Sequence, residues 1–157
     1  MARILYKLLR HRNMALSTMQ DIGGCRSVFD TIADLRRVER HLVRSRLWRD
    51  AHVEDYITNP KPDGYRAVHI ITKRDNRWIE VQLRTQAQDE WASAVEDALS
   101  LTGHDIKDGF GPDDLKLYFK LAGDRLALED HGLAADEELE ERFRRVRNEI
   151  QQYYTAP

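Results

Sequence analysis

A chain of 157 residues is long enough for one domain with a hydrophobic core. At 41% hydrophobic and 33% charged residues it has the balance of an ordinary globular protein. No apolar run approaches the roughly 20 residues that span a bilayer, and the N-terminus lacks a signal-peptide pattern, so no membrane association is expected. The lone Cys25 excludes an internal disulfide and a Cys-rich zinc cluster; it reads as a small buried residue on a strand. The net charge of −2 hides a division. Residues 1–84 carry 17 Lys and Arg against 10 Asp and Glu, net +7, whereas 85–157 carry 8 against 17, net −9. A basic half suits phosphate-rich ligands, and the acidic half argues against a uniformly basic nucleic-acid coat.

In chain order, Ile4, Leu5, Leu8 and Leu9 share one helical face, with Arg3, Lys7, Arg10 and Arg12 around it. That spacing predicts a basic amphipathic helix over 1–12. A strand is expected over 25–29. Thr31 or Asp30 caps a helix that uses Ile32, Leu35, Val38, Leu42 and Val43 for packing. An extended segment is predicted over 48–57, and Asn59-Pro60-Lys61-Pro62-Asp63-Gly64 reads as a loop. Residues 65–72 and 78–84 read as paired strands joined through 73–77. A helix follows over 86–101, packing through Ala87, Trp91, Val95, Ala98 and Leu99, then a loop over 103–112. Two helices close the chain, 113–129 and 136–154, the second with Leu139, Phe143, Val146 and Ile150 on one stripe that packs on the domain or serves self-association. The fold class is α/β (α+β), a small mixed or antiparallel sheet flanked by helices, with a helical C-terminal half. The chain reads as one domain, 1–157, with an N-terminal helix (1–12), a core (13–101) and C-terminal helices (102–157).

The run Trp78-Ile79-Glu80-Val81-Gln82-Leu83-Arg84 has two faces, because alternate strand residues point to opposite sides. Ile79, Val81 and Leu83 make an apolar face, and Glu80, Gln82 and Arg84 a polar one. Upstream, Asp21 precedes Gly23-Gly24, where backbone can approach a ligand closely. Magnesium is usually held by one or two carboxylates plus substrate phosphates, so Asp21 and Glu80 are candidate ligands; capping a turn and facing solvent are their ordinary alternatives. The Gly64-Tyr65 step delivers a ring on which a base could stack, or which covers the core. His69 projects to the side of Tyr65, as a catalytic or a hydrogen-bonded structural histidine. The set suits an enzyme that moves a phosphate-containing group.

Three motifs sharpen this reading: Met19-Gln20-Asp21-Ile22-Gly23-Gly24-Cys25-Arg26; Tyr56-Ile57 with Pro60-Lys61-Pro62-Asp63-Gly64-Tyr65-Arg66-Ala67-Val68-His69; and Glu80-Val81-Gln82-Leu83-Arg84-Thr85, followed by Trp91. Together they resemble the synthetase domain of the RelA/SpoT family, the enzymes that make (p)ppGpp-type alarmones. The resemblance runs from about Lys7 to Glu96, more weakly to Ala122. It implies a nucleotidyltransferase-like mixed sheet and a pyrophosphokinase reaction, in which a purine-ribose 3′-hydroxyl attacks the β-phosphorus of ATP and AMP leaves. On the matching positions Asp21 would bind Mg2+, and Glu80 would bind Mg2+ or act as base. Tyr65 would stack on the acceptor base. Lys61, Arg66, His69, Gln82 and Arg84 would contact phosphate or ribose, with Arg26 supporting the site on the ATP side.

Two departures stand out. Most of the family's upstream basic ATP-holding motif is missing, so either Arg3, Lys7 and Arg10 substitute for it or the chain is a fragment of a longer protein, the reading adopted. Ala67 stands where a Ser is common after Gly-Tyr-Arg. The resemblance also implies synthesis without an attached hydrolase. Details lean toward toxic small alarmone synthetases, which make (p)ppGpp- or (p)ppApp-type nucleotides or pyrophosphorylate tRNA, and which travel with an antitoxin or immunity protein. The expected partners are therefore ATP, a purine nucleotide acceptor ahead of tRNA, a proteinaceous inhibitor and possible further copies of the chain. The expected site of action is cytoplasmic, with delivery into another cell if the chain belongs to a longer effector. A non-catalytic nucleotide-binding module is the alternative of another class.

Overall fold

The computed structural model describes residues 23–155. Four strands, β1 (Gly23–Phe29), β2 (His52–Asp55), β3 (Val68–Arg74) and β4 (Arg77–Thr85), form one mixed sheet in the order β1-β4-β3-β2. The tightest connection explains the longest pairing. Asp75 and Asn76 both take positive φ, 46° and 60°, which suits the two central positions of a two-residue hairpin turn and residue types that tolerate them. From there β3 and β4 zip antiparallel from Arg74↔Arg77 to Val68↔Leu83. β1 lies parallel to β4, from Gly23↔Ile79 to Phe29↔Thr85, and β2 pairs antiparallel with the outer side of β3.

Strand alternation sorts the side chains. Val68, Ile70, Val81 and Leu83 share one face and are buried under Leu35 of α1 (Ile32–Arg44), with Val38, Leu42, Trp48 and Val53 around them. α1 begins at the predicted cap, where the Thr31 hydroxyl accepts from the Asp34 amide. Leu35, Ile70 and Leu83 are wholly buried, and each such side chain contributes about 1.5–3 kcal/mol through removal from water.

The helical half follows from Thr85. Its hydroxyl accepts from the Gln88 amide while the Gln88 side chain accepts from the Thr85 amide, a capping box that starts α2 (Gln86–Thr102). α3 (Asp113–Asp130) packs beside it, α4 (Glu137–Ile150, capped by Asp136) packs on α3, and α5 (Gln152–Thr155) ends the described chain. Trp91, Val95 and Ala98 of α2, Leu115, Phe119 and Leu121 of α3, and Val146 and Ile150 of α4 form a second core that includes Tyr65 and Ala67. The α4 stripe faces inward, and Phe143 stacks on Tyr118 at 5.3 Å.

Several expectations shift. The 48–57 segment is not extended throughout: Arg46–Trp48 forms a 3-10 turn and only His52–Asp55 is strand. β3 starts at Val68, because residues 65–67 peel toward the helices while Tyr56 N–H still donates to Ala67 O at 2.9 Å. The last predicted helix breaks at Gln151, and the 103–112 loop holds the 3-10 turn Ile106–Asp108. Cys25 is exposed, not buried; among the described residues β1 is paired only with β4, so its side chains sit at the margin of the cover that α1 gives the sheet. The predicted helix over 1–12 lies outside the described residues, as do Arg3, Lys7, Arg10 and Asp21. Among the described residues no helix is long and apolar enough to cross a membrane.

Candidate active site

The sheet's other face is polar. Residues paired across strands point to the same side, so Arg26, Gln82, His69 and Glu54 form one row across all four strands. In the neighbouring row Gly24 pairs with Glu80. A Cβ on Gly24 would run into the backbone carbonyl of Glu80, so β1 places no side chain beside that carboxylate.

Five residues close a hydrogen-bonded ring on this face. Gln82 Nε2 donates to Glu80 Oε2 at 2.7 Å, and Arg84 Nη2 donates to Gln82 Oε1 at 3.1 Å and to the Tyr65 hydroxyl at 2.9 Å. Because the Tyr65 oxygen already accepts from a cation, its proton is left for His69 Nε2, 2.6 Å away. That assigns the remaining proton of a neutral imidazole to Nδ1, which meets Glu80 Oε1 at 2.8 Å. Both oxygens of Glu80 are thus gripped by donors from neighbouring side chains, which fixes the orientation of the carboxylate.

Cations surround the ring. Asp89, in the first turn of α2, accepts from Arg84 Nη1 at 3.0 Å and Arg26 Nη1 at 3.1 Å through one oxygen, and so aligns two guanidinium groups. Arg84 is 4% exposed, and among the described residues its Nε has no hydrogen-bond partner. Lys61 Nζ stands 4.5 Å from the Tyr56 ring centre and 5.3 Å from that of Tyr65. Burial pushes the Tyr65 phenol up against the opposing pull of Arg84. The Tyr56 phenol is pushed up strongly, by burial and then by the Glu54 carboxylate that it reaches at 2.6 Å. Both stay neutral donors at neutral pH.

The comparisons with known proteins bear on this arrangement. Residues 1–101 match the family described as a region found in RelA / SpoT proteins. The chain belongs to the RelA/SpoT family. GTP pyrophosphokinase YwaC of Bacillus subtilis (strain 168) is 39% identical over 83 residues, 48% of this chain and 40% of that protein. GTP pyrophosphokinase YjbM of the same strain is 26% identical over 149 residues, 90% of this chain and 64% of that protein. The chain therefore spans less than two thirds of the length of these curated relatives. The crystal structure of small alarmone synthetase 1 from Bacillus subtilis bound to its product pppGpp superposes with a TM-score of 0.64 at 28% identity, covering 83% of this chain and 70% of that one.

Of the residues singled out in this RelA/SpoT chain, the sheet brings Glu80, Gln82, Arg84, His69, Tyr65 and Arg26 together, with Lys61 over the Tyr65 ring. Tyr65 is only 7% exposed, with Tyr56, His69 and Trp91 at its edges. With the Lys61 ammonium and the Arg84 guanidinium each 5.3 Å from its ring centre, the ring presents no open face, and a base that stacks on it needs these side chains to give way. Arg66 faces elsewhere: its guanidinium donates to Gly64 O at 3.0 Å and pairs with Asp124 at 3.0 Å. Sequence reasoning missed Asp89, Glu54 and Asp124. Asp89 carried a signal, an acid five residues after Arg84 at a helix start; the other two depend on tertiary contacts that spacing does not encode.

Proposed function

We propose that the chain is a pyrophosphokinase that transfers the β,γ-pyrophosphate of ATP to the 3′-hydroxyl of a purine nucleotide. The observation that carries this reading is the Glu80 carboxylate held between His69 Nδ1 and Gln82 Nε2 on a sheet face lined with arginines, in a chain of the RelA/SpoT family. Glu80 accepts the proton of the 3′-hydroxyl as its oxygen bonds to the β-phosphorus. The bond between that phosphorus and the oxygen bridging to the α-phosphate breaks, and AMP leaves. His69 and Gln82 hold the base in one orientation, and Arg84 and Arg26 offset charge on the phosphates.

Magnesium fits the chemistry of the donor set, since hard oxygen ligands suit it and Gly24 keeps β1 side chains away from Glu80. Glu80 and Asp21 would hold it together with substrate phosphates, and when bound it neutralises charge on the transferring group. Among the described residues no three His, Cys, Asp or Glu cluster as a closed cage; a magnesium ion shared with a triphosphate requires none. Lys61 and His69 serve the acceptor, and Tyr65 stacks on its base once the side chains over its ring move; Arg3, Lys7 and Arg10 serve ATP only if no upstream basic segment does.

Guanine nucleotides, GDP or GTP, are the acceptor favoured by relatives named GTP pyrophosphokinases; ADP, ATP and the 3′ end of tRNA are the competing acceptors. We extend the reading to growth inhibition restrained by a protein inhibitor, acting where cytoplasmic ATP supplies the donor. The test is a reaction with Mg2+ and ATP against GDP, GTP, ADP, extra ATP or deacylated tRNA in parallel, with products identified by mass. An acceptor that gains a pyrophosphate with matching AMP release names the branch. No AMP with any acceptor, in the chain and in a version extended at its N-terminus, overturns the reading in favour of a nucleotide-binding module.

A further inference from the structure

We infer that α3, which lies outside the residues matched by the family, positions the acceptor site, and that Arg66 acts as a clasp between the 59–66 loop and Asp124 rather than as a phosphate ligand. The inference rests on the pyrophosphokinase reading for its meaning, but its geometry stands alone. Gly64 takes a φ of +96°, and a Cβ there would come within 3.0 Å of Lys120 Cα and Phe119 O. The approach is mutual, because a Cβ on Gly123 would sit 2.5 Å from Gly64 O. Two glycines thus let a helix backbone touch a loop backbone directly, at the residue just before Tyr65.

Arg66 then pins the contact. Its Nη1 donates to Gly64 O and its Nη2 to Asp124 Oδ1, both at 3.0 Å, while Lys120 Nζ holds the other Asp124 oxygen at 2.9 Å. The Arg66 side chain is 12% exposed and committed inward. Burial resists ionisation of Asp124, yet the Lys120 and Arg66 hydrogen bonds outweigh it and hold the carboxyl below its usual range. The loop has its own closure, with Gly64 N–H to Lys61 O at 2.9 Å, Lys61 N–H to Tyr65 O at 3.2 Å and Tyr65 N–H to Asp63 Oδ1 at 3.0 Å. The clasp therefore fixes the loop that carries Lys61 and the residue that begins the path to His69. α3 braces the site's other flank as well. Phe119 O accepts from Trp91 Nε1 at 2.8 Å, and Asp130 Oδ2 accepts from Thr85 Oγ1 at 2.7 Å, next to Arg84.

A double-mutant cycle with Arg66→Ala, Asp124→Ala and the pair decides the matter, read as KM for the acceptor nucleotide, KM for ATP, kcat, and amide hydrogen exchange of the loop. Asp124→Ala should raise acceptor KM about ten-fold, the size of one lost charge-assisted hydrogen bond. The ATP KM and kcat should change little, and the pair should be no worse than Arg66→Ala alone. Exchange at the Lys61, Gly64 and Tyr65 amides should accelerate in every variant. Arg66→Ala losses that add to those of Asp124→Ala, or an Asp124→Ala enzyme with wild-type acceptor KM, would overturn the clasp and return Arg66 to the phosphates. If the wild-type chain turns nothing over, that counts against the pyrophosphokinase reading alone. Exchange then decides the clasp, faster loop exchange in Asp124→Ala supporting it and unchanged exchange overturning it.

Discussion

The two faces of one sheet do different work. Under α1, Val68, Ile70, Val81 and Leu83 interlock with Leu35 and offer no chemistry. One residue along each strand, His69, Glu80, Gln82 and Arg84 face the other way and are tied into a ring with Tyr65. The apolar face gains its stability from area removed from water, which tolerates some reshaping. The polar face depends on each partner being present, since any member lost leaves another buried donor or acceptor unpaired. Strand alternation therefore lets stability and reactivity change independently, although the residues concerned are adjacent in sequence.

That separation can be broken from either side. The largest stability effect should come from Leu83→Ala, at about 2–5 kcal/mol for a wholly buried Leu. Chemical denaturation should register it, while activity per folded molecule stays close to wild type. Tyr65→Phe removes a single oxygen that joins Arg84 to His69, and should cost about 1–3 kcal/mol through the unpaired groups left behind. Unlike Leu83→Ala it should also lower turnover, because the His69 grip on Glu80 loses its tautomer control. A midpoint shift without a kinetic change would make the ring purely structural.

The smallest effect is that of acid. Asp55 is held below its usual range: burial works against ionisation, but Thr58 and Arg36 outweigh it. Asp124 is held down likewise by Lys120 and Arg66. A carboxyl depressed on folding contributes above its unfolded value of about 3.9 and loses that contribution as pH falls through the native value. Stability should thus hold from neutral pH down to the ordinary Asp range and fall below it, with a shallower fall in Asp55→Asn. A steeper acid loss in that variant would contradict the sign.

Much of this was legible in the sequence because it rests on local periodicity. Alternation in 78–84 separated Val81 and Leu83 from Glu80, Gln82 and Arg84, and the structure keeps that division. The Thr31 cap and the packing role of Trp91 were equally local. The strand order was not legible, since parallel pairing of β1 with β4 is decided by long-range contacts. Nor was the inward turn of Arg66, which needs Asp124, 58 residues away. Cys25 failed for a related reason: residue type suggests burial, but it lies on the outermost strand of the described sheet and is exposed. Asp21 falls outside the described residues and its role stands on the motif resemblance; Arg3, Lys7 and Arg10 fall outside them too, and stand only as substitutes for the family's missing basic motif.

The most direct measurement is turnover and unfolding midpoint taken side by side for Glu80→Gln. The substitution keeps volume and one acceptor oxygen and removes the charge that can take a proton. Turnover should fall about 10²–10⁴-fold, the usual contribution of a positioned general base, with a midpoint shift like that of Tyr65→Phe, because the new amide nitrogen faces one of the two donors that grip Glu80. Near-wild-type turnover in a folded Glu80→Gln protein would contradict a base role for Glu80, and with it the assignment of the chemistry to the polar face.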